Sequence, residues 1–327
     1  MSEVLNYRQV ISRAIADAMA EDDSVILLGE DVAEAGGAFK TTPGLLERFG
    51  PGRVRDTPIS EQAIVGSALG AAITGLRPIA EIMFADFAGV CFDQIANQVA
   101  KYRYMSAGQV TVPLTIRMAN GAGSGFAAQH SQPAENWFLN IPGVKIVVPG
   151  TVEDLYGLLR SAIRDDNPVL VFEHKNLFSL KGTLPDSVTG IVPLGVASVV
   201  RSGHDVTIVA TQQMRHRAVS AAEKLSEEGI ECTVIDPRTL VPFDLETVVE
   251  SLRETSKVCV VQEASPGGSW GATLVSQLAS EYFELLDAPP LLISADDTPI
   301  PYAGVLEDAW LPSVDQIVHK VRQLCKY

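Results

Sequence analysis

One carboxylate stands apart in a long uncharged segment of the chain. Glu61 is followed by fifteen residues, 62–76, that carry no charge and include many glycines and alanines. A carboxylate in the first turn of a helix is favoured by the helix dipole, so a purely structural role would account for it. Held instead against an apolar surface, the same group could exchange protons with a bound heterocycle. The small side chains would let a ligand or another subunit approach this helix closely.

A second candidate lies in a glycine-rich loop. His130 follows a predicted strand, and its neighbours in the segment 123–132 are flexible or polar. Open α/β sheets bind ligands beyond the carboxyl ends of their strands, so this loop lies where a site is expected. A lone loop histidine is more often a surface residue than a catalyst, so both roles stay open. The glycines of 121–125 do not form the GxGxxG pattern of a dinucleotide site.

The elements that must carry these residues alternate between strand-like and helix-like segments. Short apolar runs predict buried strands, and longer stretches between them predict helices. Continuous apolar strands that alternate with helices are typical of a mostly parallel sheet covered on both faces. The predicted strands are 25–28, 79–84, 112–118, 145–148, 169–173, 206–210, 232–236, 258–262 and 291–294, and the clearest predicted helices are 61–74, 92–102, 152–164, 215–228, 245–254, 272–286 and 314–324.

Two such α/β series follow one another. Proline and glycine accumulate in 176–195 without a long periodic pattern, which is typical of a linker. We therefore predict a first domain at 1–185, a linker at 186–194 and a second domain at 195–327. Each domain is expected to be a three-layer α/β unit with a mostly parallel sheet. Asp244 is predicted to cap a helix of the second domain.

Composition narrows the classes of function. The chain has 327 residues, of which 46% are hydrophobic and 6% aromatic, and a formal net charge of −15. The acidic charge argues against a nucleic-acid partner, and the uncharged stretch 63–76 is too short to span a membrane. The first twenty residues do not resemble a secretory signal. Four scattered cysteines without CxxC spacing predict reduced thiols in a cytoplasmic protein.

Long motifs give the chain a resemblance to a known family. They are LLGEDV (27–32), DTPISEQAIVG (56–66), GLRPIAEIMFADF (75–87), DQIANQVAKYRYMSAGQ (93–109), AAQHSQ (127–132), PGVKIVVPGT (142–151), AIRDDNPVLVFE (162–173) and VIDPRTLVPFD (234–244). Over nearly its full length the chain resembles the beta subunit of the thiamine-diphosphate-dependent first component of 2-oxo acid dehydrogenase complexes. This family includes pyruvate, branched-chain 2-oxo acid and acetoin dehydrogenases. The resemblance implies a transketolase-like pyrimidine-binding domain followed by a transketolase C-terminal domain.

The resemblance also implies roles for individual residues. Glu61 corresponds to the glutamate that hydrogen-bonds the aminopyrimidine ring of thiamine diphosphate and promotes removal of the thiazolium proton. Met83 and Phe87 correspond to positions that line the pyrimidine pocket, although core packing is the usual role of such side chains. His130 corresponds to an active-site histidine that assists acyl transfer to lipoamide. The positions that bind potassium in relatives, largely through backbone carbonyls, are Leu114, Ala162, Asp165 and Asn167.

The chain carries only part of a thiamine diphosphate site. Thiamine enzymes hold the diphosphate and Mg²⁺ through a region that contains a GDG motif, and no GDG occurs in these 327 residues. We therefore expect an alpha subunit to hold the diphosphate and Mg²⁺, so that the cofactor lies between subunits. The expected assembly is a heterotetramer of two alpha and two beta chains.

The C-terminal region is strongly acidic. Residues 258–319 contain nine Asp or Glu and no Lys or Arg. A solvated face would account for this charge, and so would a face that docks a basic partner, because complementary charge speeds encounter. The resemblance implies that the lipoylated acyltransferase core docks on this domain. We expect Glu307 and Asp308 to belong to the docking face.

The substrate is the least determined property. Segments 172–178, 181–182 and 235–239 resemble acetoin dehydrogenase beta chains more than pyruvate or branched-chain ones. We therefore expect acetoin first, pyruvate second and branched-chain 2-oxo acids third. Pro133 and the segment 265–271 depart from the family pattern and bear on this selectivity. Two other classes stay open. One is a split transketolase-type transferase subunit, and the other is a non-catalytic assembly subunit in which Glu61 only caps a helix.

Overall fold

The structure, a computed structural model, describes residues 3–184 and 190–327. Contacts between these residues divide the chain into two compact units. The first unit comprises the residues up to Asn120 together with Trp137–Leu194, and the second comprises Gly121–Asn136 together with Gly195–Tyr327. Part of the predicted linker, 186–189, lies outside the described residues. The predicted domain boundaries stay a prediction.

The first unit contains a parallel sheet with helices on its faces. Within this unit the strand order is β6-β7-β5-β4-β2-β3, and every neighbouring pair is parallel. The first and last strands of the unit form a separate antiparallel pair. The elements are β1 Glu3–Asn6, α1 Tyr7–Glu21, β2 Val25–Gly29, α2 Leu45–Phe49, β3 Val54–Asp56, α3 Glu61–Ile73, β4 Arg77–Ile82, α4 Ala100–Met105, β5 Thr115–Asn120, β6 Lys145–Val147, α5 Val152–Arg164, β7 Val169–His174 and β8 Lys181–Leu184.

The second unit contains another mostly parallel sheet. Its order is β14-β13-β10-β11-β9, and only the edge strand β9 runs antiparallel to its neighbour. Helices α6 and α10 share a hydrophobic core with β10, β11 and β13. The elements are β9 Ser198–Arg201, β10 Val206–Ala210, α6 Gln212–Ser226, β11 Cys232–Asp236, β12 Thr239–Val241, α7 Leu245–Thr255, β13 Val258–Val261, α8 Trp270–Glu281, β14 Leu291–Ile293, α9 Gly304–Trp310 and α10 Val314–Leu324.

The predicted fold class, two mostly parallel α/β units, is confirmed. Four predicted elements have the observed bounds, namely 152–164, 206–210, 232–236 and 314–324. The predicted cap is also confirmed, because the Asp244 carboxylate accepts the Thr247 N–H at 3.2 Å. None of the helices within the described ranges is both long and apolar enough to cross a membrane.

Two helical regions differ from the predictions. Helix α1 was not predicted, although Asn6 and Gln9 form a reciprocal capping box at its start. That box fixes the helix start, and the buried face of α1 packs with α5 in the main core of the first unit. The predicted helix 92–102 is instead a π-helical segment, Gln94–Val99, followed by α4. The spacing of apolar residues in this segment does not distinguish an α-helical turn from a π-helical turn.

Candidate active site

Glu61 is the first residue of α3 and is only 7% exposed. The preceding Ser60 makes no side-chain hydrogen bond that caps the helix. Among the residues that the structure describes, the Glu61 carboxylate has no hydrogen-bond or ion-pair partner. The residue is largely buried while its carboxylate oxygens have no partner in the described part of the chain, so the carboxylate is available to a ligand or another subunit.

Further acidic side chains surround this carboxylate. Glu30 follows β2 directly and is buried. Burial raises the pKa of Glu30, and the nearby negative charges of Glu61, Asp31 and Glu81 raise it further. Burial likewise raises the pKa of the Cys91 thiol to about 12, with a contribution from Glu61. This end of the sheet therefore favours a cationic or proton-donating ligand, and Cys91 stays a neutral thiol near pH 7.

An apolar and aromatic surface follows β4. Met83 and Phe87 are both half-buried, and Phe87 lies in a short 3-10 helix, Ala85–Gly89. Phe84 packs edge-on against Phe87, with 5.7 Å between the ring centroids, and Phe39 packs edge-on against Phe84 at 5.3 Å. These contacts hold the Phe87 ring, and its remaining exposed surface suits a flat heterocycle.

The sheet order brings the first-unit candidates to one edge. Strand β2 lies between β3 and β4, and all three run parallel. Glu30 follows β2, Glu61 follows β3, and Met83 follows β4, so the three residues lie beyond the carboxyl ends of three adjacent strands. This is the edge at which open α/β sheets bind ligands. The structure places His130 in the second unit, because the segment 121–136 belongs to it.

A buried charge trio crosses the centre of the same sheet, and the sequence did not reveal it. The Arg117 guanidinium donates to both carboxylate oxygens of Glu173, at 2.6 and 2.8 Å, and to Glu81 at 2.7 Å. Burial opposes the charge on Arg117, but the two carboxylates outweigh it and hold its pKa above the ordinary value. Burial raises the pKa of Glu173, against the effect of Arg117. In the sequence, the only sign of this trio was that each of its three charged residues lies in a predicted apolar strand.

The loop 121–136 of the second unit is held by hydrogen bonds to residues that follow it in the sequence. The Ala122 N–H donates to the carboxylate of Glu263, which lies after β13. The Trp270 N–H, at the start of α8, donates to the Asn136 side chain at 3.0 Å. His130 lies between these attachments, is half-buried, and its ring Nδ1 contacts the carbonyl of Gln129.

The expectation that Glu307 belongs to an exposed docking face is wrong. Its side chain is 2% exposed, and its carboxylate accepts backbone N–H groups of the loop 121–136. Charge counting along the sequence could not separate this buried acid from its exposed neighbour Asp308.

The four expected potassium positions lie together at the opposite edge of the first sheet. Leu114 precedes β5, and its carbonyl accepts the Val169 N–H at 2.9 Å; the Ala162 carbonyl accepts the Asp165 N–H at 3.2 Å. Burial disfavours ionisation of Asp165, but hydrogen bonds from Lys145 and Asn167 outweigh it and lower its pKa. A carbonyl oxygen keeps a second lone pair, so backbone ligands are still available.

Comparison with known proteins identifies the family. The model of the transketolase pyrimidine binding domain matches residues 3–181, and that of the transketolase C-terminal domain matches residues 195–317. The chain is 45% identical over 336 aligned positions to the acetoin:2,6-dichlorophenolindophenol oxidoreductase subunit beta of Bacillus subtilis, which covers 99% of this chain and 98% of the relative. It is 44% identical to the pyruvate dehydrogenase E1 component subunit beta of Rickettsia conorii, over 99% of both chains. The chain belongs to this family of beta subunits.

Membership in the family confirms the resemblance found in the sequence. It supports an oxidoreductase subunit and implies dependence on thiamine diphosphate. The identities to the acetoin and pyruvate enzymes are nearly equal, so similarity does not select between their substrates. A split-gene transketolase, described as an inactive beta4 tetramer, has a TM-score of 0.83 and 24% identity over 98% of this chain and 99% of its own. That likeness shows the shared fold.

Proposed function

We propose that the chain is the beta subunit of a thiamine-diphosphate-dependent dehydrogenase that cleaves acetoin or a small 2-oxo acid and passes the acyl group to lipoamide. The observation that carries the proposal is the buried, unpartnered carboxylate of Glu61 in a member of this family. Acetoin is the first candidate substrate, pyruvate the second and branched-chain 2-oxo acids the third.

The residues at the carboxyl edge fit the pyrimidine half of the cofactor. The Glu61 carboxylate would accept a hydrogen bond from a protonated ring nitrogen of the aminopyrimidine and would exchange that proton with it. Met83 and Phe87 offer a thioether and an aromatic face to the flat ring. Thiamine diphosphate, when bound, would supply carbon-nucleophile chemistry towards the carbonyl group of the substrate. His130, carried by the second unit, assists the transfer of the acyl group to lipoamide.

The other half of the cofactor site is proposed to come from an alpha subunit. This chain lacks the GDG motif, so the diphosphate and Mg²⁺ would be held by the partner. Ile59, two residues before Glu61, is 83% exposed, and Tyr104 is 88% exposed. Tyr104 and Met105 line an open groove of about 720 Å³. A contiguous exposed apolar surface marks a face that partners cover, so we assign the groove with Tyr104 and Met105 to the alpha subunit in a heterotetramer of two alpha and two beta chains.

A potassium ion is a further proposal for the amino edge of the first sheet. The side chains of Asp165 and Asn167 are engaged by Lys145 and Arg103. A cation there would therefore be bound by backbone carbonyls rather than by these side chains, at the four positions Leu114, Ala162, Asp165 and Asn167.

Reconstitution tests the proposed function. We expect no turnover from the purified chain with thiamine diphosphate and Mg²⁺, because it holds only the pyrimidine side of the site. Co-purified with its alpha chain, it should reduce an artificial electron acceptor with acetoin, and more slowly with pyruvate or 3-methyl-2-oxobutanoate. Acyl-group formation should further require a lipoylated core, which separates the enzyme from a split transketolase. Turnover by this chain alone would refute the divided site.

The proposed docking face for the acyltransferase core consists of the exposed acids Asp296, Asp297 and Asp308. Tyr302 and Val305 are exposed in the same stretch of chain and add apolar surface. A basic domain would associate with such a surface quickly at low ionic strength.

Charge reversal tests this face. We expect Asp297→Lys with Asp308→Lys to slow association with the core about tenfold at low salt, because steering by complementary charge is lost. Turnover with the artificial acceptor should not change. Glu250→Lys, at an exposed position on α7 outside the acidic stretch, is the matched control and should leave association unchanged. Equal association rates for both variants would contradict the docking face.

A further inference from the structure

The carboxylate of Glu307 joins helix α9 to the glycine-rich start of the loop 121–136. The Gly123 N–H donates to Oε1 at 2.8 Å, and the Gly125 N–H donates to Oε2 at 2.9 Å. Glu307 is 2% exposed, and no cation within the described ranges pairs with it. Both oxygens are therefore used on backbone N–H groups of one short segment.

The glycines give this segment the shape of an anion-binding concavity. Gly121, Gly123 and Gly125 have φ angles of 86°, 91° and 73°, which residues with side chains rarely adopt. Alternating glycines of this kind turn N–H groups towards a common point, as in phosphate-binding loops. Here that anion is a side chain of the same unit. This glycine-rich segment, which lacks the dinucleotide-binding pattern, thus has an internal ligand.

The anchored segment leads directly to His130. Ala127 has a left-handed φ of 60°, and the His130 N–H approaches the Ala127 carbonyl at 3.4 Å in a tight turn. Ser131, the next residue, is completely buried. The five residues 126–130 therefore connect Gly125, which is bound by Glu307, to the buried Ser131, and His130 lies at the end of this short turn.

We propose that Glu307 is a positioning residue for His130. Its carboxylate fixes the glycine-rich segment, and that segment fixes the turn from which the imidazole acts; this role rests on the proposed function of His130 in acyl transfer. A charged acceptor suits the task because hydrogen bonds to a carboxylate are shorter and stronger than those to a neutral amide. Glutamine at this position has one acceptor oxygen and could retain one of the two bonds.

Hydrogen exchange tests, without reference to activity, whether the Glu307 carboxylate holds the glycine-rich segment. In the assembled complex, Glu307→Ala should speed exchange of the Gly123 and Gly125 amides at least about tenfold, because their acceptor is removed. Exchange in β10, in the core of the same unit, should not change. Glu307→Gln should give an intermediate rate, and Glu250→Ala, an exposed acid on α7, should match the wild type. If Glu307→Ala fails to fold, the glutamine variant decides, and unchanged loop exchange in it overturns the proposal.

Kinetics test whether the Glu307 carboxylate influences acyl transfer through His130. Misplacement of a catalytic group by about 1 Å lowers the reaction rate on the order of 100-fold. Glu307→Ala should therefore slow acyl transfer to lipoamide about 10- to 100-fold. Turnover with an artificial acceptor should fall much less. In a His130→Ala background, Glu307→Ala should cause no further loss of acyl transfer. If the losses of acyl-transfer rate in the two single variants add in the double variant, the positioning role is overturned. If the wild-type complex turns over none of the proposed substrates, the proposed function is overturned, and the hydrogen-exchange result still stands.

Discussion

Replacing Glu61 by glutamine is expected to lower the turnover of the assembled enzyme by about 10²- to 10⁴-fold, the usual contribution of a group that transfers protons. The amide keeps the size of the side chain but cannot exchange a proton with a ring nitrogen. The free energy of unfolding of the isolated chain should stay unchanged or rise, because the substitution breaks no ion pair and removes a negative charge near Glu30. Loss of rate with retained stability is the signature of a group kept for function rather than for folding.

The measurement combines steady-state rates of the reconstituted complex with urea unfolding of the isolated chain. Glu47→Gln is the matched control, because Glu47 is an exposed acid in the first turn of α2 in the same unit. If Glu61 only interacted with the helix dipole, both variants would lose a similar 0.3–1 kcal/mol, roughly, and both would keep their turnover. A near-normal rate for Glu61→Gln would favour an assembly subunit over an enzyme subunit.

Glu61 could be identified as a candidate from the sequence because its separation from other charged residues is visible in the local sequence. An uncharged run of fifteen residues after one acid is visible without a structure, and it also predicted α3 almost to its observed end at Ile73. Met83 and Phe87 carry no such signal, since half-buried methionine and phenylalanine are common in any core. Only the resemblance to the family assigned them a role, and the structure adds the aromatic contacts that hold Phe87.

Long-range pairing explains what the sequence could not provide. Glu307 lies in an acidic stretch, yet it is buried because its carboxylate binds N–H groups nearly two hundred residues earlier in the chain. Glu81 and Arg117 face each other because β4 and β5 are neighbours in register. No local pattern encodes either contact. Charge counts describe a surface correctly only where the side chains are exposed, as Asp308 is.

The second large effect is on folding. Arg117→Met is expected to lower the free energy of unfolding by about 3–5 kcal/mol, because it leaves Glu81 and Glu173 buried without their cation. Arg13→Met is the matched control: Arg13 pairs with Glu3 and Asp17 at an exposed position, and such pairs are worth roughly 0–1 kcal/mol. Urea unfolding of both variants and the wild type measures the difference.

The pH dependence separates loss of charge pairing from loss of packing. Burial already raises the pKa of Glu173 in the native chain, and without Arg117 that pKa rises further. A raised folded-state pKa gives stability that is present at low pH and lost as pH rises through it, so the penalty of Arg117→Met should shrink on acidification. Adding Glu81→Gln and Glu173→Gln should recover part of the loss at neutral pH. A penalty that is independent of pH and insensitive to these second substitutions would mean that Arg117 acts by filling space. It would then not hold the strands whose ends carry Met83 and the proposed cofactor site.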